Sequence, residues 1–183
     1  MDWYSIVKLL HVVSALVWVG GGLMLALMGT RAAMAGDLAA TAQAMKTTGE
    51  MGGRVMMPAS LLTLVFGLIM CWFWVGFSDL WILIGLAGYF TTFLIGTFVF
   101  KPAGDRMAAT IAKDGITPAL MVDGSRILRV ARFDYAVMLV VVTDMVLKPT
   151  PADAGILATM AVILAIGAAA AFVSLSSPAL AES

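Results

Sequence analysis

The sequence predicts an all-α protein, an integral membrane bundle of five transmembrane helices, and two observations support this prediction. Hydrophobic residues make up 62% of the 183 residues and charged residues only 12%, and the mean hydropathy is +1.02. Soluble globular domains do not have this composition. In addition, five apolar runs come close to the roughly 20 residues that a helix needs to cross the hydrocarbon core of a bilayer.

The five runs are bounded by charged residues or by residues that favour turns. The predicted spans cover residues 6–28, 55–77, 80–100, 127–147 and 154–175. Pro58 falls in the first turn of the second span, where its missing amide hydrogen costs little. Lys101 and Pro102 are expected to end the third span, and Lys148 and Pro149 the fourth. All 183 residues then form a single membrane domain.

Two loops and one tight turn connect the first four spans. Residues 37–53 contain helix-forming alanine and methionine and no proline, so this loop is predicted to prolong the second span as an amphipathic helix. Residues 102–126 form the other sizeable loop, and residues 76–79 form the turn.

The distribution of Lys and Arg predicts the orientation. Of the eleven Lys and Arg residues, all but Lys8 and Lys148 lie in or beside the two long loops. The positive-inside bias therefore places both loops in the cytoplasm, with the amino terminus outside and the carboxyl terminus inside. An aromatic belt at the outer surface is expected as well, formed by Trp3, Tyr4, Trp72, Trp74 and Trp81.

Charge and residue content argue against several functional classes. A net charge of zero gives the chain no general attraction to nucleic acid, so no nucleic-acid partner is expected. The single cysteine, Cys71, has no second cysteine in the chain with which to form a disulfide. Paired catalytic carboxylates, a Ser/His/Asp set and a zinc-binding helix motif are all missing from the sequence.

His11 is the only histidine and falls in the predicted outer third of the first span. Lys8, His11, Trp18 and Gly22 share one helical face, with Ser14 or Ala15 between them, at spacings of three or four. An ionisable residue inside a span usually faces the bundle interior and is a functional candidate. Two interpretations remain open: a ligand to haem iron or to a soft metal, or a histidine hydrogen-bonded to another helix or to interfacial water.

Three consecutive glycines lie on or beside the helical face that holds His11. Gly20, Gly21 and Gly22 lie in the middle of the first span. Glycines at such positions either let helices pack closely or leave room for a flat ligand.

Charged residues in the fourth span suggest further roles. Arg126, Arg129 and Arg132 recur every three residues at its cytoplasmic end, as expected for anchoring to anionic headgroups. Arginine also makes bidentate contacts with carboxylates, so binding of propionates or of another anionic head group by this stripe is a second interpretation. Asp134 is expected to pair with a nearby arginine and Asp144 with Lys148 four residues later, while a proton relay is the alternative for both.

Methionine is frequent, at 14 residues, and its thioether suits Cu(I). Most of these residues are expected to serve packing. Met145 is the exception, because it falls at a depth similar to that of His11. A His11–Met145 pair requires that the first and fourth helices are neighbours.

The segment 8–22, KLLHVVSALVWVGGG, resembles the first helix of a group of bacterial integral membrane proteins. The group includes a family of unknown function and the copper-resistance protein D type, and the more distant HemJ-type protoporphyrinogen oxidases begin similarly. The likeness lies in His11, Trp18, Gly20 and Gly21. Farther along the chain, Arg54, Pro58, Trp81 and the Lys148–Pro149 pair fit the family of unknown function.

This resemblance implies a multi-pass protein of the bacterial cytoplasmic (inner) membrane that binds haem b or a related tetrapyrrole through His11. Its relatives also imply copper handling as an alternative. With one histidine and no compact methionine cluster, a bis-histidine site within one subunit is impossible. Haem therefore needs Met145, another residue, or His11 of the partner subunit.

Three functional hypotheses follow. The first is a haem-binding, redox-active membrane protein whose site contains His11, Trp18, Gly21, Gly22, Met145, Arg129 and Arg132. The second is a copper-handling protein that uses His11 and Met145. The third is an accessory or assembly subunit without chemistry of its own. The expected partners are the lipid bilayer and either further copies of the chain or a larger membrane complex.

Overall fold

The computed structural model describes residues 2–117 and 119–172 of the chain. Within these ranges helix is the only regular secondary structure, as the sequence predicts. The helices are α1 (Trp3–Ala35), α2 (Leu38–Val75), α3 (Leu80–Asp114), α4 (Ala119–Leu147) and α5 (Ala154–Phe172).

Four of these helices, α1, α2, α3 and α5, are long and apolar enough to cross a membrane. The fourth predicted span lies on α4, which has 29 residues and is not among these four. Arg132, Asp134 and Asp144 make its apolar part more polar than that of the other helices. Residues 173–175, the end of the fifth predicted span, lie outside the described residues.

Two prolines lie inside helices, where the sequence predicted a helix start and a helix end. Pro58 was expected in the first turn of its helix, but α2 begins twenty residues earlier at Leu38. The predicted stop at Lys101 and Pro102 is wrong, because α3 continues through both to Asp114.

The physical reason is a π-helical turn in front of each proline, at Gly52–Met56 and at Gly96–Phe100. Proline has no amide hydrogen, and in an α-helix its ring clashes with the carbonyl four residues earlier. The wider π turn changes the hydrogen-bond register at that point. Each helix can therefore pass its proline. The prediction that residues 37–53 prolong the second span is confirmed.

The helix boundaries near the turns follow the prediction. Gly76, with φ 93°, ends α2, and residues 76–79 form the turn to α3. Helix α4 ends at Leu147, before Lys148, whose φ is 47°. At the other side of the bundle Gly36, with φ 67°, ends α1, and the Asp37 carboxylate accepts a hydrogen bond from the amide of Ala40 at 2.9 Å.

The bundle has two chemically different ends. At the aromatic end, which holds Tyr4, Trp74, Trp81 and Lys148, the rings of Tyr4 and Trp74 are 5.6 Å apart. At the basic end, which holds Arg31, Lys46, Arg106 and Arg126, the first part of α2 packs against the last part of α3 and against α4. A small apolar cluster lies there, formed by Ala42, Met45, Met107, Ile111 and Ile127.

Between the two ends, α1 packs against the apolar half of α2, and α4 lies between α3 and α5. Gly167 of α5 meets Ala136 of α4, and Gly88 of α3 meets Val141 of α4. Small residues therefore set the close approach of α4 to both of its neighbours.

Candidate functional site

His11 of α1 is joined to α2 by a hydrogen bond. Its Nδ1 lies 2.7 Å from the main-chain carbonyl oxygen of Thr63. A carbonyl oxygen only accepts, so Nδ1 carries the proton and donates it to this bond. In the neutral ring, Nε2 then holds the unshared electron pair. No hydrogen bond from Nε2 to another described residue is seen.

The His11 ring is held closely by α2. A Cβ at Gly67 would lie 3.1 Å from Cε1 of His11 and 3.3 Å from its Nδ1, so only glycine leaves the ring this space. The Thr63 hydroxyl donates to the carbonyl of Ala59 at 2.8 Å and is not part of the histidine contact. The ring orientation is thus determined by the backbone of one helix turn.

Trp18, two turns farther along the same face of α1, contacts α3. Its ring centroid is 5.3 Å from that of Tyr89, in an edge-to-face arrangement. The Tyr89 hydroxyl is buried and interacts with Ser60, but it lies outside hydrogen-bond geometry. Ser60 donates instead to the carbonyl of Met57 at 2.9 Å.

The space beside Gly21 and Gly22 is filled by other side chains of the same chain. A Cβ at Gly21 would lie 2.5 Å from Cε of Met56, and a Cβ at Gly22 would lie 3.0 Å from the hydroxyl of Tyr135. Of the two interpretations of these glycines, the structure favours close packing. A flat ligand at this place would have to displace Met56 and Tyr135.

Met145 packs against a different helix from His11. A Cβ at Gly85 of α3 would meet the end of the Met145 side chain. Helices α1 and α4 are indeed neighbours, but their closest glycine contacts, Gly22 with Tyr135 and Gly29 with Leu128, lie toward the basic end. None of the contacts described joins Met145 to His11.

The arginines lie at another depth of the bundle. Tyr135 of α4 contacts α1 at Gly22. Gly22 follows His11 by eleven residues, which is about 16 Å along a helix. Arg132 precedes Tyr135 by one turn toward the basic end. Its guanidinium donates to the carbonyl of Ala170 at 2.9 Å. The structure therefore does not bring Arg132 to His11, and the half-buried Arg129 lies one further turn away.

An open cavity of about 250 Å³ lies between α1 and α4 near this arginine. Leucines and alanines form most of its wall, and its polar groups come from Thr30, Arg132 and Tyr135. As for metal sites, the described part of the chain holds no cluster of three or more His, Cys, Asp or Glu side chains.

The expected pairing of Asp144 with Lys148 is not observed in the structure. The Lys148 ammonium lies over the Trp81 ring, 4.8 Å from its centroid. Asp144 is completely buried, and neither carboxylate oxygen has a hydrogen-bond partner among the described residues. Asp134 is 5% exposed, and its Oδ1 likewise has no partner there.

Two structural features of these residues could not be predicted from the sequence. The Thr63 acceptor is a main-chain carbonyl, so no pattern of residue types predicts it. The isolation of Asp144 follows from the contact of Lys148 with Trp81, a residue on another helix. From the four-residue spacing of Asp144 and Lys148 in the sequence, we expected these two side chains to pair with each other.

The sequence model of one family, described as "Predicted integral membrane protein (DUF2269)", matches residues 5–149. The matched range includes His11, Trp18, Arg132, Asp144 and Met145 and is well over half of the chain. No curated protein and no solved structure matches the chain.

Proposed function

The chain belongs to the DUF2269 family of predicted integral membrane proteins, and we propose, from the geometry at His11, that it binds haem b or a related tetrapyrrole within the membrane through Nε2 of His11. The supporting observation is the hydrogen bond between Nδ1 of His11 and the Thr63 carbonyl oxygen, at 2.7 Å. Metal-ligating histidines commonly donate their other ring N–H to such a carbonyl, which fixes the tautomer and the ring orientation. The free electron pair of Nε2 would then be available to bind haem iron.

The proposed site is smaller than the set of residues expected from the sequence. Gly21 and Gly22 are packed against Met56 and Tyr135, and Arg132 lies at another depth, so His11 is the residue that carries the proposal. Met145 packs against Gly85, so a second protein ligand would have to come from another residue or from His11 of the partner subunit. Haem bound in this way would supply one-electron redox chemistry.

The test is an absorption spectrum of the detergent-purified protein, first oxidised and then reduced, with metal analysis of the same samples. We expect a Soret band that sharpens on reduction and is lost in His11→Ala. Thr63→Val is the matched control, because it keeps the carbonyl that orients His11 and removes only the hydroxyl. A colourless wild-type protein, expressed with adequate haem supply, would overturn the proposal.

The same samples distinguish the two alternatives. Imidazole nitrogen also ligates copper, so copper that co-purifies with the colourless wild type and is lost in His11→Ala supports copper handling. A protein with neither haem nor copper supports the accessory role, in which the His11–Thr63 hydrogen bond only joins α1 to α2.

We also propose that α4 is a fifth span, with the amino terminus outside, in the inner membrane of a bacterium. Helix α4 lies between α3 and α5, which are both long enough and apolar enough to cross a membrane. If α3 and α5 cross the membrane, a helix packed along both of them crosses it as well. The basic residues at one end then give the orientation through the positive-inside bias.

A further inference from the structure

The Asp144 carboxyl group is the most isolated polar group that the structure describes. Its exposed fraction is 0%, and both oxygens lack a hydrogen-bond partner among residues 2–117 and 119–172. An ionised carboxylate in such a place costs several kcal/mol unless a cation pairs with it. A neutral, protonated carboxyl avoids most of this cost.

The charged side chains that the structure describes at the aromatic end have contacts other than Asp144. Lys148, on the same helix, lies over the Trp81 ring, which is a favourable cation–π position. Just before α3, Asp79 accepts a hydrogen bond from the Trp81 indole at 3.3 Å. At the start of α5, Asp153 accepts hydrogen bonds from Thr150.

The remaining surroundings of Asp144 are apolar or small. Helix α5 carries no ionisable side chain from Ala154 to Phe172. On α3, a Cβ at Gly85 would lie 3.4 Å from Oδ2 of Asp144, so a glycine provides the space next to the carboxyl. Lys8 of α1 is engaged elsewhere, 5.9 Å from the centroid of the Tyr4 ring.

A route to water begins one helical turn from the carboxyl. The amide of Lys148 donates to the Asp144 carbonyl at 2.7 Å. Lys148 also lines a cavity of about 460 Å³ at the aromatic end, together with Asp79, Trp81 and Thr150. Lys148 therefore belongs both to the wall of this cavity and to the helical turn that follows Asp144.

We propose that the Asp144 carboxyl is a proton-binding site inside the membrane, and that it exchanges its proton with water in the cavity lined by Asp79, Trp81 and Lys148. When the proton leaves, the O–H bond of the carboxyl breaks and a water molecule of the cavity accepts the proton. Among the described residues, Lys148 is four residues farther along α4 and could pair with the resulting carboxylate. This site does not depend on any ligand at His11.

The first test is labelling of the full-length protein in membranes with dicyclohexylcarbodiimide, an apolar reagent that adds to protonated carboxyl groups. Peptide mass spectrometry locates the adduct. We expect label on Asp144, decreasing as the pH of the medium rises, and no label on the exposed Asp79. Absence of label on Asp144 at every pH, or labelling that does not change with pH, would overturn the proposal.

The second test is infrared spectroscopy, which detects the C=O stretch of a protonated carboxyl directly. Asp144→Asn is the matched variant, since the amide has nearly the same shape and no charge. We expect an unchanged melting temperature and the loss of one protonated-carboxyl band that shifts in heavy water. A spectrum identical to that of the wild type would show that Asp144 is ionised and would overturn the proposal.

Discussion

Three ionisable side chains in or beside the apolar helices are accommodated in three different ways. His11 donates a hydrogen bond to a carbonyl oxygen of the next helix, and Lys148 lies over an aromatic ring. Asp144 has neither kind of contact. Burial of an ionisable group is costly unless it is paired or neutral. The first two arrangements reduce that cost, and the proposed protonation of Asp144 would reduce it for the third.

The pH dependence of Asp153 is a prediction at the same scale. Asp153 lies in the turn between α4 and α5. Its carboxylate accepts hydrogen bonds from the amide of Thr150 at 2.8 Å and from its hydroxyl at 2.7 Å. The backbone hydrogen bond first, and the side-chain bond second, hold the pKa of Asp153 below its ordinary value of 3.8.

A folded-state pKa below that of the unfolded chain stabilises the protein above pH 3.8, and this stabilisation is lost as the pH falls through the folded-state pKa. We therefore expect Asp153→Asn to have a lower melting temperature than the wild type at neutral pH and a smaller difference in acid. Thr150→Val, which keeps the amide donor, should give an intermediate result. A difference that stays constant with pH would contradict the prediction.

The helices show how backbone geometry and small residues combine in this bundle. A π-helical turn precedes each of the prolines Pro58 and Pro102, so the helices continue beyond the apolar segments. Glycines then bring neighbouring helices together. The residue that faces each glycine determines how much a larger side chain would disturb the packing.

Gly167 is the glycine at which a substitution should cost most. A Cβ there would meet Cβ of Ala136, which cannot rotate away because it is attached directly to the α4 backbone. We expect Gly167→Ala to destabilise the protein by about 1–3 kcal/mol, the usual cost of overpacking. The measurement is thermal unfolding in detergent.

Gly155→Ala is the control on the same helix, because a Cβ at Gly155 meets nothing within 4 Å. It should leave the melting temperature unchanged or raise it slightly, since alanine favours a helix over glycine. Equal melting temperatures for the two variants would show that α4 and α5 do not approach each other as closely as described.

The molecule as a whole has chemically distinct ends, with aromatic rings at one and most of the basic residues at the other. The helices alternate in direction, so the turns at residues 76–79 and 148–153 both lie at the aromatic end. Cys71 is the single cysteine, which makes labelling of introduced cysteines simple to interpret.

The prediction at this scale concerns the orientation and the fifth span. In a Cys71→Ser background, we expect Ser5→Cys and Thr150→Cys to react with a membrane-impermeant maleimide on intact bacterial cells. Thr110→Cys, at the basic end, should react only after permeabilisation. All three wild-type residues are exposed. If Thr150→Cys were protected in the same way as Thr110→Cys, α4 would not cross the membrane.

The sequence by itself determined the all-helical membrane class, the four helices that are long and apolar enough to cross a membrane, the turn at residues 76–79 and the helix end at Leu147. Apolar length and turn residues are local properties, so they can be read along the chain. Only the tertiary structure decided that Met56 and Tyr135 occupy the space beside Gly21 and Gly22, that Met145 meets Gly85, and that Lys148 lies over Trp81. These contacts depend on the depth and rotation of each helix against its neighbours, which residue spacing within one helix does not specify.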